Sequence, residues 1–203
     1  MSDSNATESI TLRAATPADA PALALVGGAT FLEAFTWMLP GADIVAHCAR
    51  HHTTEAYTRY FADASTRITL ALTAPLLGPD RTPNAAVGFA MLCAPELPSF
   101  AVLPTDIELK RIYLLSRFRN APIAALADPE LPVPDGLRPA QALLNAAITN
   151  ALALGRNRIL LGTHANNTRA IAFYLRNGFA EAGTRTFQVG SQLCSDLIFA
   201  KKL

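Results

Sequence analysis

Residues 162–179, Gly-Thr-His-Ala-Asn-Asn-Thr-Arg-Ala-Ile-Ala-Phe-Tyr-Leu-Arg-Asn-Gly-Phe, constrain the fold more than any other stretch, because both ends of one short helix are written into them. Asn166 or Asn167 offers a side-chain oxygen to the free N–H groups of the first turn. Asn177-Gly178 offers the left-handed residue that stops the helix before Phe179 opens a strand. Between these ends Ala170, Phe173, Tyr174 and Asn177 recur at helical spacing and share a face, with Asn167 two turns before Tyr174. An amide and a phenol on one face of so short a helix suggest a ligand groove.

The rest of the chain supplies a sheet for that helix to lie on. Residues 106–115 alternate apolar and polar as a strand does. Residues 139–154 form an amphipathic helix ended by Gly155, and residues 158–162 a short apolar strand. Upstream, residues 10–13 read as a strand, and Thr16-Pro17-Ala18-Asp19 combines a cap, a first-turn proline and an acid at the capping-box offset. The helix that starts there runs toward Phe35, with Gly27-Gly28 as a soft point. After Pro40-Gly41 come helices at 42–52 and 53–64, then strands at 67–73 and 85–93 joined as a hairpin through the turn at 78–84. Residues 120–135 hold Pro122, Pro129, Pro132 and Pro134 and read as an inserted loop. Two more strands follow at 179–189 and 193–201. Strands before and after a strand-helix-strand-helix core predict a mixed sheet of about seven strands with helices on both faces. This is an α/β fold of the α+β type, with a right-handed parallel connection in the core.

Composition narrows the class. With 203 residues, 51% hydrophobic and 16% charged, the chain can bury one sizeable core and reads as a single domain over 1–203, with 1–8 as a flexible end. A formal charge of +1, with 17 basic and 16 acidic residues and no long run of either sign, gives no footprint for nucleic acid or an anionic membrane. The three cysteines are far apart and outside any Cys-x-x-Cys pair, and no secretory pattern opens the sequence, so a reducing cytoplasm is expected.

The order of elements, with Glu108-Leu-Lys-Arg-Ile-Tyr-Leu114 followed by a loop, a helix and then Asn167-Thr-Arg-Ala-Ile-Ala-Phe-Tyr-Leu-Arg-Asn-Gly-Phe179, resembles the general-control-related N-acetyltransferase (GNAT) superfamily. Leu12-Arg-Ala-Ala-Thr-Pro-Ala-Asp-Ala20 and Phe31-Leu-Glu-Ala-Phe35 are similar to bacterial members that acetylate small amines or protein amino groups. The resemblance implies a mostly antiparallel sheet whose central parallel pair splays to receive acetyl-CoA. It also implies direct transfer to an acceptor amine of a small molecule or peptide, with no metal. The amide-rich pantetheine arm would pair with the free strand edge at Ile112, Tyr113 and Leu114, and would lie against Asn167, Ala170, Phe173 and Tyr174. Glu108 would assist deprotonation of the amine, a backbone N–H near Tyr113 or Leu114 would support the oxyanion, and Tyr174 would protonate the leaving thiolate. Phe31 and Phe35 would line the acceptor channel.

The chain departs from the family at the phosphate loop, where a Gly and, two residues on, a Gly or Ala normally let backbone N–H groups cradle the pyrophosphate at a helix start. Here the positions fall on Arg138 and Ala140, and Pro139 between them lacks an N–H. Arg138 at the helix start and Arg119, in the lead-in Leu114-Leu-Ser-Arg-Phe-Arg119, are the cations left for the phosphates. This damage favours a second reading, an acyl-CoA-binding protein of the same shape with weakened catalysis. Plain readings compete for single residues too: Tyr174 as a packed core tyrosine, Glu108 in a strand salt bridge with Lys110 or Arg111, and Phe31, Phe35 and Trp37 as core. His47 and His51, one turn apart, could bind zinc by spacing but lack the glutamate of hydrolytic zinc motifs, and a solvated helix face bordering the acceptor pocket suits them better. The last two strands could pair or swap in a homodimer.

Overall fold

The computed structural model describes residues 8–37, 39–73, 84–97, 100–189 and 192–203. The expected flexible end and most of the expected hairpin turn at 78–84 lie outside these residues. The described chain forms one eight-stranded sheet. In chain order the elements are β1 (Ile10–Ala14), α1 (Ala20–Phe35), α2 (Gly41–His51), α3 (Thr54–Phe61), β2 (Arg67–Thr73), β3 (Ala86–Cys93), β4 (Asp106–Leu114) and β5 (Ile123–Ala125). They continue with α4 (Pro139–Ala153), β6 (Arg158–His164), α5 (Thr168–Arg176), β7 (Ala180–Val189) and β8 (Gln192–Lys202). The strand order is β5-β1-β2-β3-β4-β6-β8-β7, with β1–β5 and β4–β6 parallel and all other neighbours antiparallel.

The eighth strand is β5, inside the stretch read as a structureless insertion. Pro122 precedes it and Pro129 follows it, so no proline falls within its three residues, and it sits at the sheet edge, where Ile10 N donates to Pro122 O at 2.9 Å. The start of α1 follows the capping signal: Thr16 N donates to Asp19 Oδ2 at 2.8 Å, and Arg13 grips the same carboxylate at 2.7 and 2.9 Å. Contrary to the expectation of a soft point, α1 runs unbroken through Gly27-Gly28. Gly27 serves close packing, since a Cβ there would come within 2.5 Å of His52 Nδ1 and would also strike the Tyr57 hydroxyl.

Helices cover both faces. On one, α4 inserts Ala142, Leu143, Leu144, Ala147 and Ala151 against Leu12, Val87, Leu109 and Ile159. On the other, Leu23 and Val26 of α1 and Tyr57 of α3 pack on Leu70, Phe89 and Met91. Alternation along β3 and β4 sends neighbouring side chains to these two cores, and each fully buried aliphatic side chain contributes about 1.5–3 kcal/mol.

The central parallel pair is short. β4 and β6 are in register only at Asp106↔Arg158, Ile107↔Ile159 and Glu108↔Leu160. Beyond that β6 stays with β8 as far as His164↔Asp196, while β4 stays with β3 as far as Gly88↔Leu114. A register shift between Met91 and Leu92 leaves Lys110 as the extra residue on β4. Such a bulge bends its strand and sharpens its twist, which carries the upper half of β4 away from β6. The sheet therefore opens as a fork, and residues 109–114 keep their β6-facing backbone edge unpaired with that strand.

Candidate active site

A cleft of about 870 Å³ occupies the fork. Its wall includes the start of α4 and α5 on one face of the sheet and parts of α1 and α2 on the other, so it passes from face to face between the parted strands. Ile112, Tyr113 and Leu114 form the open β4 edge along it. Asn167, Ala170, Phe173 and Tyr174 of α5 line it as well, and so do Arg119, Arg138, Ala140, Phe31 and Phe35.

On α5, Asn167 Oδ1 accepts a hydrogen bond from Ala170 N at 3.2 Å, and Gly178 ends the helix with φ at 75°. Asn177 ties this helix to α4, accepting from Gln141 Nε2 at 2.7 Å and donating to Phe173 O at 2.9 Å. Tyr174 is 7% exposed, with the Phe173 and Phe179 rings edge-on to it at 5.5 Å. Burial pushes its phenol well above the ordinary tyrosine range, so the hydroxyl holds its proton at neutral pH.

One end of the cleft is rich in guanidinium groups. Arg138 caps α4 in an extended conformation and donates to Asn120 Oδ1 at 2.8 Å, next to Gly136 with φ at 70°. Arg119, Arg169 and Arg176 line the cleft too. Burial lowers the pKa of Arg119, and the charge of Arg169 lowers it further, which places these cations within each other's field. Sequence reading named Arg119 and Arg138 and missed Arg169 and Arg176. Their seven-residue spacing, two helical turns on one face, was the available signal. Guanidiniums gathered around a helix start that has lost the N–H of Pro139 suit a polyanionic group.

The opposite face has a different character. Phe31 stacks on His47 at 4.1 Å with an interplanar angle of 11°, and Phe35 lies 4.5 Å from Phe31. Burial first, then the charges of His51, Arg111 and Arg50, bring His47 down to about 4, so its imidazole is neutral at pH 7. Arg185 pairs with Asp196 at 3.0 Å, and its guanidinium fills the space a side chain at Gly162 would need, since a Cβ there would lie 2.6 Å from Nη2. His47, whose helix face the sequence placed beside the acceptor pocket, borders the cleft, as do Gly162, Arg185 and Asp196, which were not singled out as site residues from the sequence.

Glu108 sits apart from the other expected site residues. It is 1% exposed, does not line the cleft, accepts a hydrogen bond from Glu96 N at 2.7 Å and lies 3.5 Å from Lys110 Nζ. The salt bridge with Lys110, weighed from the sequence as a rival role, is present. Lys110 itself borders the cleft and also bonds Glu96 at 3.0 Å.

Comparison with known proteins bears on this arrangement. The Acetyltransferase (GNAT) family matches residues 136–179, the stretch from the α4 start through α5. An uncharacterized N-acetyltransferase of Mycobacterium tuberculosis is 28% identical over 185 residues, covering 91% of this chain and 98% of the relative. Among solved structures, the PaiA N-acetyltransferase of Thermoplasma acidophilum in complex with coenzyme A superposes with a TM-score of 0.66 at 18% identity, covering 96% of this chain and 99% of that one. A ribosomal-protein-alanine N-acetyltransferase of Brucella melitensis superposes with a TM-score of 0.59 at 23% identity, over 95% and 99%. Both share the fold.

Proposed function

The chain belongs to the GNAT acetyltransferase superfamily and uses acetyl-CoA as donor, and on that premise we propose that it transfers the acetyl group to a primary amine by direct attack in a ternary complex. The observation that carries this reading is the parting of β4 and β6 after Glu108↔Leu160, with Tyr174 on the wall of the gap. The unpaired β4 edge at residues 109–114 offers backbone groups to the amides of a pantetheine arm, as a sheet edge does to an added strand. The guanidiniums of Arg119, Arg138, Arg169 and Arg176 offer charge to the phosphates, in partial replacement of the backbone donor lost at Pro139.

Acetyl-CoA supplies an activated acetyl carbon and a thiolate leaving group. Around it the chain's own groups divide the work. Tyr174 keeps its proton because it is buried, and hands it to the departing sulfur. An N–H of the β4 edge near Tyr113 or Leu114 supports the charge developing on the carbonyl oxygen. Glu108 acts indirectly: it holds the Lys110 ammonium at the fork, and proton removal from the amine is left to water or to the neutral His47 on the cleft wall. Phe31 and Phe35 bound the acceptor side. The free thiols of Cys48 and Cys93 suit a cytoplasmic setting.

Mixing the protein with acetyl-CoA and a panel of amino acids, polyamines, aminoglycosides and peptides, and following thiol release, tests the proposal. Acceptor-dependent release is expected. Binding of acetyl-CoA without release for any amine would favour the second reading, a donor-binding protein with weakened catalysis, for which the proline at the α4 start is the supporting observation.

A further inference from the structure

Arg111 carries a full positive charge where little water reaches it. The residue is 6% exposed, its guanidinium carbon lies 5.5 Å from the ring centre of Tyr57 and 5.4 Å from that of Tyr60, and Nη1 is 3.7 Å from Met91 Sδ. Aromatic faces and a thioether attract a cation without cancelling its charge. Among the described residues no carboxylate forms an ion pair with it. The acids nearby are already engaged. Buried Glu108 is matched by Lys110, Asp196 is matched by Arg185, and Glu96, which also reaches Lys110, is more than half exposed and screened by solvent. Nor do the phenols supply an anion, because burial raises the pKa of Tyr57, Tyr60 and Tyr113 and keeps them neutral. A guanidinium cannot shed its proton to escape the cost, as a buried lysine could.

This cation stands beside the acceptor half of the cleft. Arg111 follows the bulged Lys110 on the diverging part of β4 and borders the cleft together with Lys110, Tyr113, Phe31 and His47. Burial first, with the positive charge of Arg111 adding to it, depresses the pKa of His47, His51 and His52, so the imidazoles around it are neutral and add no charge of either sign at pH 7. The hydrogen-bond partners of the guanidinium are the neutral phenols of Tyr60 and Tyr113 and the Met91 thioether, so a group that entered this space with a negative charge would meet a desolvated cation whose partners carry no charge, where a charge-assisted pair is strong.

We propose that Arg111 receives a carboxylate carried by the acceptor, so that the substrate is an amino acid whose amino group faces the fork while its carboxylate faces β4. The inference rests on the acetyl-transfer reading and narrows it. Phe31, Phe35 and Leu39 on the α1–α2 side leave an apolar wall for the rest of the molecule.

The test compares matched triplets: leucine, leucinamide and 3-methylbutylamine, with the corresponding sets for phenylalanine and methionine, assayed by thiol release from acetyl-CoA. The amide has the more acidic ammonium, so without a carboxylate site it would react faster than the acid. The expected result is the reverse, with kcat/KM at least about tenfold higher for the amino acid and most of the difference in KM. In Arg111→Gln the preference disappears while calorimetric affinity for CoA is unchanged, and Arg111→Lys keeps part of it. Equal use of the three members by the wild-type protein, or a preference that survives Arg111→Gln, overturns the proposal and leaves acetyl transfer standing. Absence of thiol release with every triplet and with the wider amine panel overturns both. The wild-type comparison needs no variant to fold.

Discussion

Asp106 and Arg158 face each other across the stem of the fork, where β4 and β6 are still paired, and join through two hydrogen bonds, 2.8 Å from Arg158 Nε to Oδ1 and 2.5 Å from Nη2 to Oδ2. The carboxylate also accepts from Leu103 N at 2.7 Å and is fully buried. Two residues further on, the strands part. A charged, bidentate clamp at the closed end holds the stem of an opening that the rest of the sheet pulls apart.

Replacing Asp106 by Asn is expected to cost about 2–3 kcal/mol in urea unfolding, because it removes the charge of a buried pair and leaves Arg158 without its anion. Burial works against this carboxylate, but Arg158 and the Leu103 N–H outweigh it and hold its pKa below the usual range. Its contribution is therefore present at neutral pH and fades as pH falls below the ordinary aspartate value. In the Asn variant the acid limb of the stability profile flattens.

Tyr174→Phe keeps the ring packing against Phe173 and Phe179 and deletes the hydroxyl. Turnover is expected to fall about 100-fold or more, with the dissociation constant for acetyl-CoA changed less than about threefold. Unchanged turnover would assign this phenol to the core alone.

At the guanidinium end, Arg138→Ala and the double variant Arg169→Ala, Arg176→Ala are expected to weaken CoA binding several-fold each, and to reduce its salt dependence. Dephospho-CoA, which has one phosphate fewer, identifies which of these arginines reads the extra group: that variant loses discrimination between the two ligands. Affinity for CoA unaltered in all three positions would remove them from the site.

The histidines predict a second acid limb. Burial first, then neighbouring positive charge, holds His47 at about 4 and His52 at about 3 in the folded protein, against about 6.5 in an unfolded chain. Between about pH 6.5 and 4 the unfolded state binds more protons, so stability falls as pH falls through that window, at up to about 1.4 kcal/mol per pH unit for each histidine. Chemical unfolding at pH 7.5, 6 and 5 measures the slope. It should shrink in His47→Gln, and a slope equal to that of the wild type would show that His47 does not titrate as described.

Gly88→Ala tests the open edge. Its Cβ would lie 2.5 Å from the carbonyl oxygen of Tyr113 and 2.7 Å from Leu114 Cδ1. A backbone atom cannot move aside cheaply, so a loss of about 1–3 kcal/mol is expected together with weaker CoA binding, since the strand edge proposed to hold the pantetheine arm must shift. A stable variant with full affinity would separate that edge from the donor site.

Much of this architecture was readable along the chain. The Asn167 cap, the Gly178 stop, the Thr16–Asp19 box and the alternation of β4 each depend on residues a few positions apart, and they form as those local patterns require. From them come the element order, the α5 face and most of the cleft wall. β5 was not readable, because three residues at a sheet edge carry no period. Gly27-Gly28 was read as a weak point because the hydroxyl and imidazole that pack against Gly27 come from residues 25 to 30 positions away.

What the amino-acid order determined by itself is a set of helices and strands, their caps, and an apolar alternation that decides which face each strand buries. Only the tertiary structure decided that Glu108 is buried off the cleft, with Lys110 as its partner, while Lys110 itself borders the opening. It alone seats His47 on Phe31, closes Arg185 over Gly162, and leaves Arg111 among phenols with no anion among the described residues. Local patterns are set by backbone geometry over one or two turns. Charge, exposure and proton affinity depend on what folding brings in from elsewhere.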